Sequence, residues 1–206
     1  MIKIIDHPLA KTKLTILRNK DTHFSLFRKS MQEISYLLAI NSLSDLELIQ
    51  VDIETPLDKT NGYEIKNKLL IVPILRAGLG LLPGFTDLVN TATVGLIGLK
   101  RDEETLLPSQ YYVNIPKILE GYVTVILEPM IATGGSLRKA LNILIKNKAS
   151  KIKVCSIIAY QKTITELENE FPFVDFYVLA LDSELNEKGF IIPGLGDAGD
   201  RTFGTI

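Results

Sequence analysis

VTVILEPMIATGGS, residues 123–136, decides how this chain is read. Val123 to Leu127 is an almost continuously apolar run, Glu128 ends it, and Thr133, Gly134, Gly135 and Ser136 lead straight into SLRKALNILIKNK (136–148). There Leu137, Ala140, Leu141, Leu144 and Ile145 form one stripe with lysines opposite, the pattern of an amphipathic helix. Two glycines let a backbone approach a ligand closely, and a helix start offers N–H groups and a partial positive charge. With the hydroxyls of Thr133 and Ser136, the segment is a cradle for a phosphate monoester. It is not a Walker loop, because the GxxxxGK[ST] spacing is missing. Glu128 adds an acceptor for the vicinal hydroxyls of a ribose lying beside its own phosphate. The plain alternative is a Thr-Gly-Gly turn with a Ser cap and an exposed Glu.

Outward from this segment, LLIVPIL (69–75), VGLIGL (94–99), KVCSIIA (153–159) and FYVLAL (176–181) are further short, almost continuously apolar runs. Such runs suit strands buried on both faces. The fold class expected is α/β, with a central, mainly parallel sheet flanked by helices. No repeat or linker divides the chain, so residues 1–206 are expected to form a single domain. The amino-terminal third reads helical. Pro8 suits the first position of a helix reaching about Arg18. Asp21 or Thr22 is placed to cap a second helix, in which Phe24, Phe27, Met31, Ile34 and Leu38 recur at helical spacing as core or subunit contact. Ligands of α/β folds bind beyond the carboxyl ends of the strands, so the loops after residues 75, 99 and 127 are the places for function.

VPILRAGLG (72–80) ends a strand at Arg76 beside two glycines, which suits a second anion, here a pyrophosphate. GLKRDEETLLPSQYYVNIP (98–116) is polar and long enough for a lid, with Arg101 near its start. The plain alternative makes Arg101, Asp102, Glu103 and Glu104 a solvated charge cluster, and the resemblance given below is what favours Arg101 over the pyrophosphate. The tail GFIIPGLGDAGDRTFGTI (189–206) holds five glycines and two aspartates, with Phe190, Ile191, Ile192, Pro193, Leu195 and Phe203 as apolar anchors. That composition describes an ordered loop whose backbone lines a small pocket, able to read a flat heterocycle of alternating carbonyl and N–H groups.

The whole chain narrows the classes. Hydrophobic residues are 46%, charged residues 23% and the formal net charge is −1, against nucleic-acid binding through bulk charge. No run approaches the ~18 apolar residues that span a bilayer, and MIKIIDHPLAKTK lacks a signal-peptide pattern. The location expected is the cytoplasm, with no membrane partner. Cys155 is the single cysteine and sits among Val154, Ile157 and Ile158 as a small core residue, and with only His7 and His23 besides, no zinc site can be assembled.

Strand, acidic residue and ATGGS opening a helix resemble the PRPP (phosphoribosyl pyrophosphate) motif of type I phosphoribosyltransferases. Over nearly the whole length the chain is similar to the uracil phosphoribosyltransferases, through DHPLAKTKLTILR (6–18), ETP (54–56), VPILRAGLG, GLKRDEETLLPSQYYVNIP, EPMIATGGS and ALDSELNEKGFIIPGLGDAGDRTFGT. PGLGDAGDR sets that family apart from purine and orotate transferases. The resemblance implies uracil and PRPP as substrates, UMP and pyrophosphate as products, and a C-terminal uracil-binding hood. It implies that PRPP is bound by Arg76, Arg101, Glu128, Pro129, Met130, Ile131, Ala132, Thr133, Gly134, Gly135, Ser136 and Asp197, and uracil by Ile191, Gly196, Asp197 and Ala198. Arg76, Arg101, Glu128, Asp197 and Asp200 are the residues expected to carry catalysis. The resemblance also implies that magnesium (Mg2+) arrives as Mg-PRPP, with Asp197 the residue to be expected near it and no further metal ligand singled out. GTP is a candidate effector, and a homodimer or higher homo-oligomer is implied.

Three departures stand out. Glu128 occupies a position that is usually Asp in the family, Asn114 one that is usually Lys, and Tyr160, Gln161, Lys162 and Thr163 replace an AAPEG-like loop. Purine-salvage relatives carry an Asp where this chain has Ala132, so a general base there is missing. Backbone N–H groups of the tail, Asp197 and Asp200 remain as alternatives for activating N1 of uracil. Other readings are an RNA-binding regulator that senses PRPP or uracil, a silent subunit, and a transferase for another base. The near-neutral charge and the PGLGDAGDR tail speak against the regulator.

Overall fold

The structure, a computed structural model, describes residues 1–101 and 108–205, with only the backbone for Arg101 and Pro108. It opens with strand β1 (Ile2–Ile4), helices α1 (Pro8–Arg18) and α2 (Phe24–Ser42), and a hairpin of β2 (Leu48–Glu54) and β3 (Lys59–Ile65). Strand β4 (Lys68–Leu75) follows, then a 3-10 turn (Ala77–Leu81), α3 (Leu82–Leu88), β5 (Thr93–Val94), β6 (Leu96–Arg101) and β7 (Pro108–Asn114). Next come β8 (Tyr122–Leu127), β9 (Met130–Ile131), α4 (Gly135–Lys146), β10 (Lys151–Tyr160), α5 (Gln161–Glu170) and β11 (Val174–Asp182). The tail forms β12 (Glu184–Leu185), β13 (Ile191–Ile192) and α6 (Ala198–Phe203).

The central sheet runs β1-β11-β10-β8-β4-β6-β7, with β5 on β4 and β9 on β10. Every pairing in it is parallel except β6 with β7. The apolar runs are continuous because alternate residues feed two cores. Ile71, Val125, Leu127, Cys155 and Tyr177 pack with Leu17, Phe27, Met31, Ile34 and Leu38 on one face. Leu70, Val72, Ile126, Val154 and Phe176 pack with Leu137, Leu141, Leu144, Ile164 and Leu167 on the other. Each such fully buried side chain contributes about 1.5–3 kcal/mol of transfer free energy.

The connection order reverses between β4 and β8, whose register pairs Pro73 with Leu127. Crevices at such reversals are where open α/β sheets take ligands. Arg76 follows β4 and Glu128 follows β8, so two expected site residues leave adjacent strands at one end of the sheet.

Two sequence expectations are corrected. The second helix is capped by His23, whose Nδ1 accepts from the Ser25 amide at 3.4 Å, and not by Asp21 or Thr22. Those two are used in the preceding turn: the Thr22 hydroxyl donates to the Ile16 carbonyl at 2.7 Å, and the Asp21 amide to Asn19 Oδ1 at 3.0 Å. The helical amino-terminal region also ends earlier than a full third of the chain. A seven-pair antiparallel ladder from Leu48↔Ile65 to Glu54↔Lys59 follows α2 and its turn. This hairpin leaves Leu48, Ile49, Ile53, Leu57 and Tyr63 exposed. No helix among the described residues is long and apolar enough to cross a membrane.

Candidate active site

Glu128 leaves β8 with its amide bonded to the Cys155 carbonyl at 3.1 Å. The carbonyl of Pro129 accepts from the amides of Ile157 and Ile158 at 3.0 and 3.2 Å and from the Ser156 hydroxyl at 3.0 Å. The first half of the loop is therefore sewn onto β10. Pro129 and Ile131 are buried, so of the expected PRPP contacts these two have only main chain to offer. Met130 and Ala132 point the other way, into a cleft.

The second half turns at Gly134, whose φ of +77° is left-handed and which serves as the N-cap of α4 without a side-chain cap. The Ser136 cap weighed from sequence is not formed. A Cβ on Gly134 would press Thr163 Cγ2 at 2.7 Å and Arg138 Nη1 at 2.9 Å. Thr163, part of the unfamiliar 160–163 segment, is thus buried in the first turn of α5 directly under the cradle. Arg138 ties the same turn down, donating to the Thr133 carbonyl at 3.0 Å and to Glu170 at 2.7 Å.

Arg76 stands at the start of the 3-10 turn, after a cis Leu75–Arg76 peptide bond. Its guanidinium donates to Asp200 Oδ1 at 2.7 Å and lies 5.9 Å from the centre of the Phe203 ring. Asp200 also accepts from the Thr205 hydroxyl at 2.6 Å. That hydrogen bond first, and Arg76 second, hold the Asp200 carboxyl below the usual carboxylate range. Asp197 caps α6, accepting from the Asp200 amide at 2.9 Å.

These parts border one cleft of about 750 Å3, lined by Glu128, Met130 and Ala132 from the loop and by Ile191, Gly196, Asp197 and Ala198 from the tail. Ala77, Gly199 and the 187–190 turn complete its wall. Glu187 and Lys188 were not anticipated, since an exposed Glu-Lys pair before a glycine looks like any surface turn. Thr133, Gly134, Gly135, Ser136 and Arg76 are outside that lining. Arg101 ends β6, and its side chain, like residues 102–107 of the expected lid, lies outside the described residues. Asn114 closes β7, opposite Leu96. Among the described residues no group of three or more His, Cys, Asp or Glu side chains is placed to hold a metal ion.

The family model for uracil phosphoribosyltransferase matches residues 4–205. The chain is 46% identical to a uracil phosphoribosyltransferase of Malacoplasma penetrans and 47% identical to one of Ureaplasma urealyticum, each over all of both chains. The AQ2163 protein of Aquifex aeolicus superposes with a TM-score of 0.94 at 39% identity, covering 98% of each chain. A hypoxanthine phosphoribosyltransferase of Trypanosoma cruzi shares the fold alone, with a TM-score of 0.51 at 14% identity over 77% of this chain and 75% of that one. Crevice, tail and matches along the full length lead to one statement: the chain belongs to the uracil phosphoribosyltransferase family.

Proposed function

We infer that the chain joins uracil to PRPP, forming UMP and releasing pyrophosphate. One observation carries the reading: Glu128, beside the phosphate cradle, and the glycine-rich tail face each other across a single cleft. A ribose held by Glu128 with its 5′-phosphate at the start of α4 turns its anomeric carbon toward the tail. Uracil seated on Ile191, Gly196, Asp197 and Ala198 attacks that carbon through N1 as the bond to pyrophosphate breaks on the opposite face, and the N1 proton passes to Asp197 or to solvent. Holding both reactants in line removes several kcal/mol, on the order of 7–11 in the best intramolecular cases.

Charge builds on the pyrophosphate, and Arg76 and Arg101 are assigned to it. Magnesium enters as part of the Mg-PRPP substrate. Asp197, which borders the cleft, would be the residue to help hold this hard, largely hydrated cation, which would supply charge neutralisation on the leaving pyrophosphate. The sugar gains positive character, which the Glu128 carboxylate stabilises. Residues 1–206 are proposed to work as one cytoplasmic domain, and the exposed apolar side chains of the β2–β3 hairpin favour assembly into at least a dimer.

The test is pyrophosphate release from Mg-PRPP with uracil, cytosine, hypoxanthine and orotate offered separately. Release with uracil alone, together with UMP, is expected. A site that pairs with uracil's carbonyls and N3–H rejects cytosine, whose N3 and amine present the opposite pattern. Comparable turnover with cytosine would overturn backbone readout of the base.

A further inference from the structure

Recognition of a base by main-chain groups demands a main chain that does not move, and the tail's own small residues cannot hold it still. Ile191 and Gly196 line the cleft, and between them Gly194 has both of its hydrogen-bonding groups occupied from outside. Its amide donates to Asp182 Oδ2 at 3.0 Å, and its carbonyl accepts from Arg18 Nη1 at 2.9 Å. Arg18 and Asp182 are themselves joined by two parallel bonds of 2.8 and 2.7 Å, in the fork geometry open only to arginine. Asp182 is 7% exposed, so its charge depends on this partner. Gly194 is at φ +54°, where a Cβ would run into the Ile191 carbonyl, which fixes its glycine identity.

The next residue is held in the same way. The Leu195 carbonyl accepts from Arg201 Nη1 at 2.6 Å, and Arg201 also reaches the Leu17 and Asn19 carbonyls at 2.5 and 2.6 Å. Two consecutive peptides before Gly196 are therefore pinned to the end of α1. Neither Arg18 nor Asp182 lines the cleft.

We propose that the Arg18–Asp182 pair is a positioning element of the base site, setting uracil affinity and base choice by fixing the Gly194 peptide. The proposal rests on reading the tail as the uracil-binding segment. Arg18→Lys keeps the charge but loses the fork, and Asp182→Asn keeps the shape but loses the charge. Each is to be assayed well below its own Tm for the KM of uracil, the KM of PRPP, kcat and the ratio of uracil to cytosine turnover.

Expected are a rise in uracil KM of about 10- to 100-fold, the scale of an ångström's misplacement, a narrower uracil–cytosine ratio, and an unchanged KM for PRPP. Unchanged uracil KM in both variants, with only Tm lowered, would reduce the pair to a fold stabiliser. Uracil and PRPP constants rising together would also overturn it. A wild-type protein that turns over no uracil would instead sink the reading of the tail. Should both variants fail to fold, hydrogen exchange of the wild-type enzyme decides: a Gly194 amide as slow as those of β13 supports the pinning, and one as fast as the Gly189 turn refutes it.

Discussion

The Arg76 guanidinium meets the Asp200 carboxylate at 2.7 Å, bridging 124 positions of sequence. The two side chains are 53% and 37% exposed, and an ion pair so open to water adds little to stability. On the function proposed above, the pair is a holding position from which Arg76 would turn to the pyrophosphate of PRPP.

Arg76→Ala should therefore leave the melting temperature nearly unchanged and raise the KM of PRPP by about 10- to 100-fold, the scale of one charge-assisted hydrogen bond of about 1.5–3 kcal/mol. Initial rates at saturating uracil measure this. An unaltered KM for PRPP removes Arg76 from the pyrophosphate site.

Thr205 first, and Arg76 second, hold the Asp200 carboxyl low. The Thr205 bond does not depend on Arg76, so Asp200 is expected to be a poor proton acceptor for uracil N1 even when Arg76 is engaged by PRPP. Asp200→Asn should cost less than the ~100-fold at which general-base losses begin. A larger fall in kcat would assign Asp200 as the base after all. The sign for stability is set by the same shift. A depressed carboxyl stabilises above its unfolded pKa of about 3.9, and that contribution disappears as pH falls through the lower folded value. Acid titration of Asp200→Asn against the parent should show a flatter dependence below that point.

Gly134→Ala places a Cβ against Thr163 and Arg138 in a left-handed residue. The backbone alone costs about 1–2 kcal/mol, and the cradle opens to relieve the contact. Thermal melts should show the loss, and kinetics should show it in PRPP and not in uracil. Equal effects on both substrates would mean that the cradle does not hold the 5′-phosphate.

Cys155 is fully buried, and burial pushes its thiol up to about 12. Thiol reagents at pH 8 should leave it unmodified in the folded protein and modify it at once in denaturant. Because the thiol of the unfolded chain ionises near ~8.5, stability should decline as pH rises past that value. Rapid labelling of the native enzyme would contradict the burial.

The parallel strands were legible because burial on both faces writes an almost continuous apolar run, as in LLIVPIL and KVCSIIA. The cradle was legible because glycines, hydroxyls and a helix start lie within a few positions of one another. The β2–β3 hairpin was not. LIQVDIE and KTNGYEI are exposed on both sides, so burial imposed no pattern on them. Arg18 and Asp182 were invisible for another reason: they pair across 164 residues, and no local spacing records such a partner. The role proposed for the tail was suggested by its composition, while part of what steadies it, the Arg18–Asp182 pair, lies outside it.

The contacts between the end of α1 and the tail also bear on the order of folding. Arg201 reaches back 184 positions to Leu17 and 182 to Asn19. Closing so wide a loop before anything else is ordered is entropically dear, and non-local contacts of this kind form late. The β4–β8 crevice, by contrast, is drawn from neighbouring strands with shorter connections. A refolding chain should thus recover its grip on PRPP ahead of its grip on uracil, passing through a state that holds the sugar phosphate and has nowhere to seat the base.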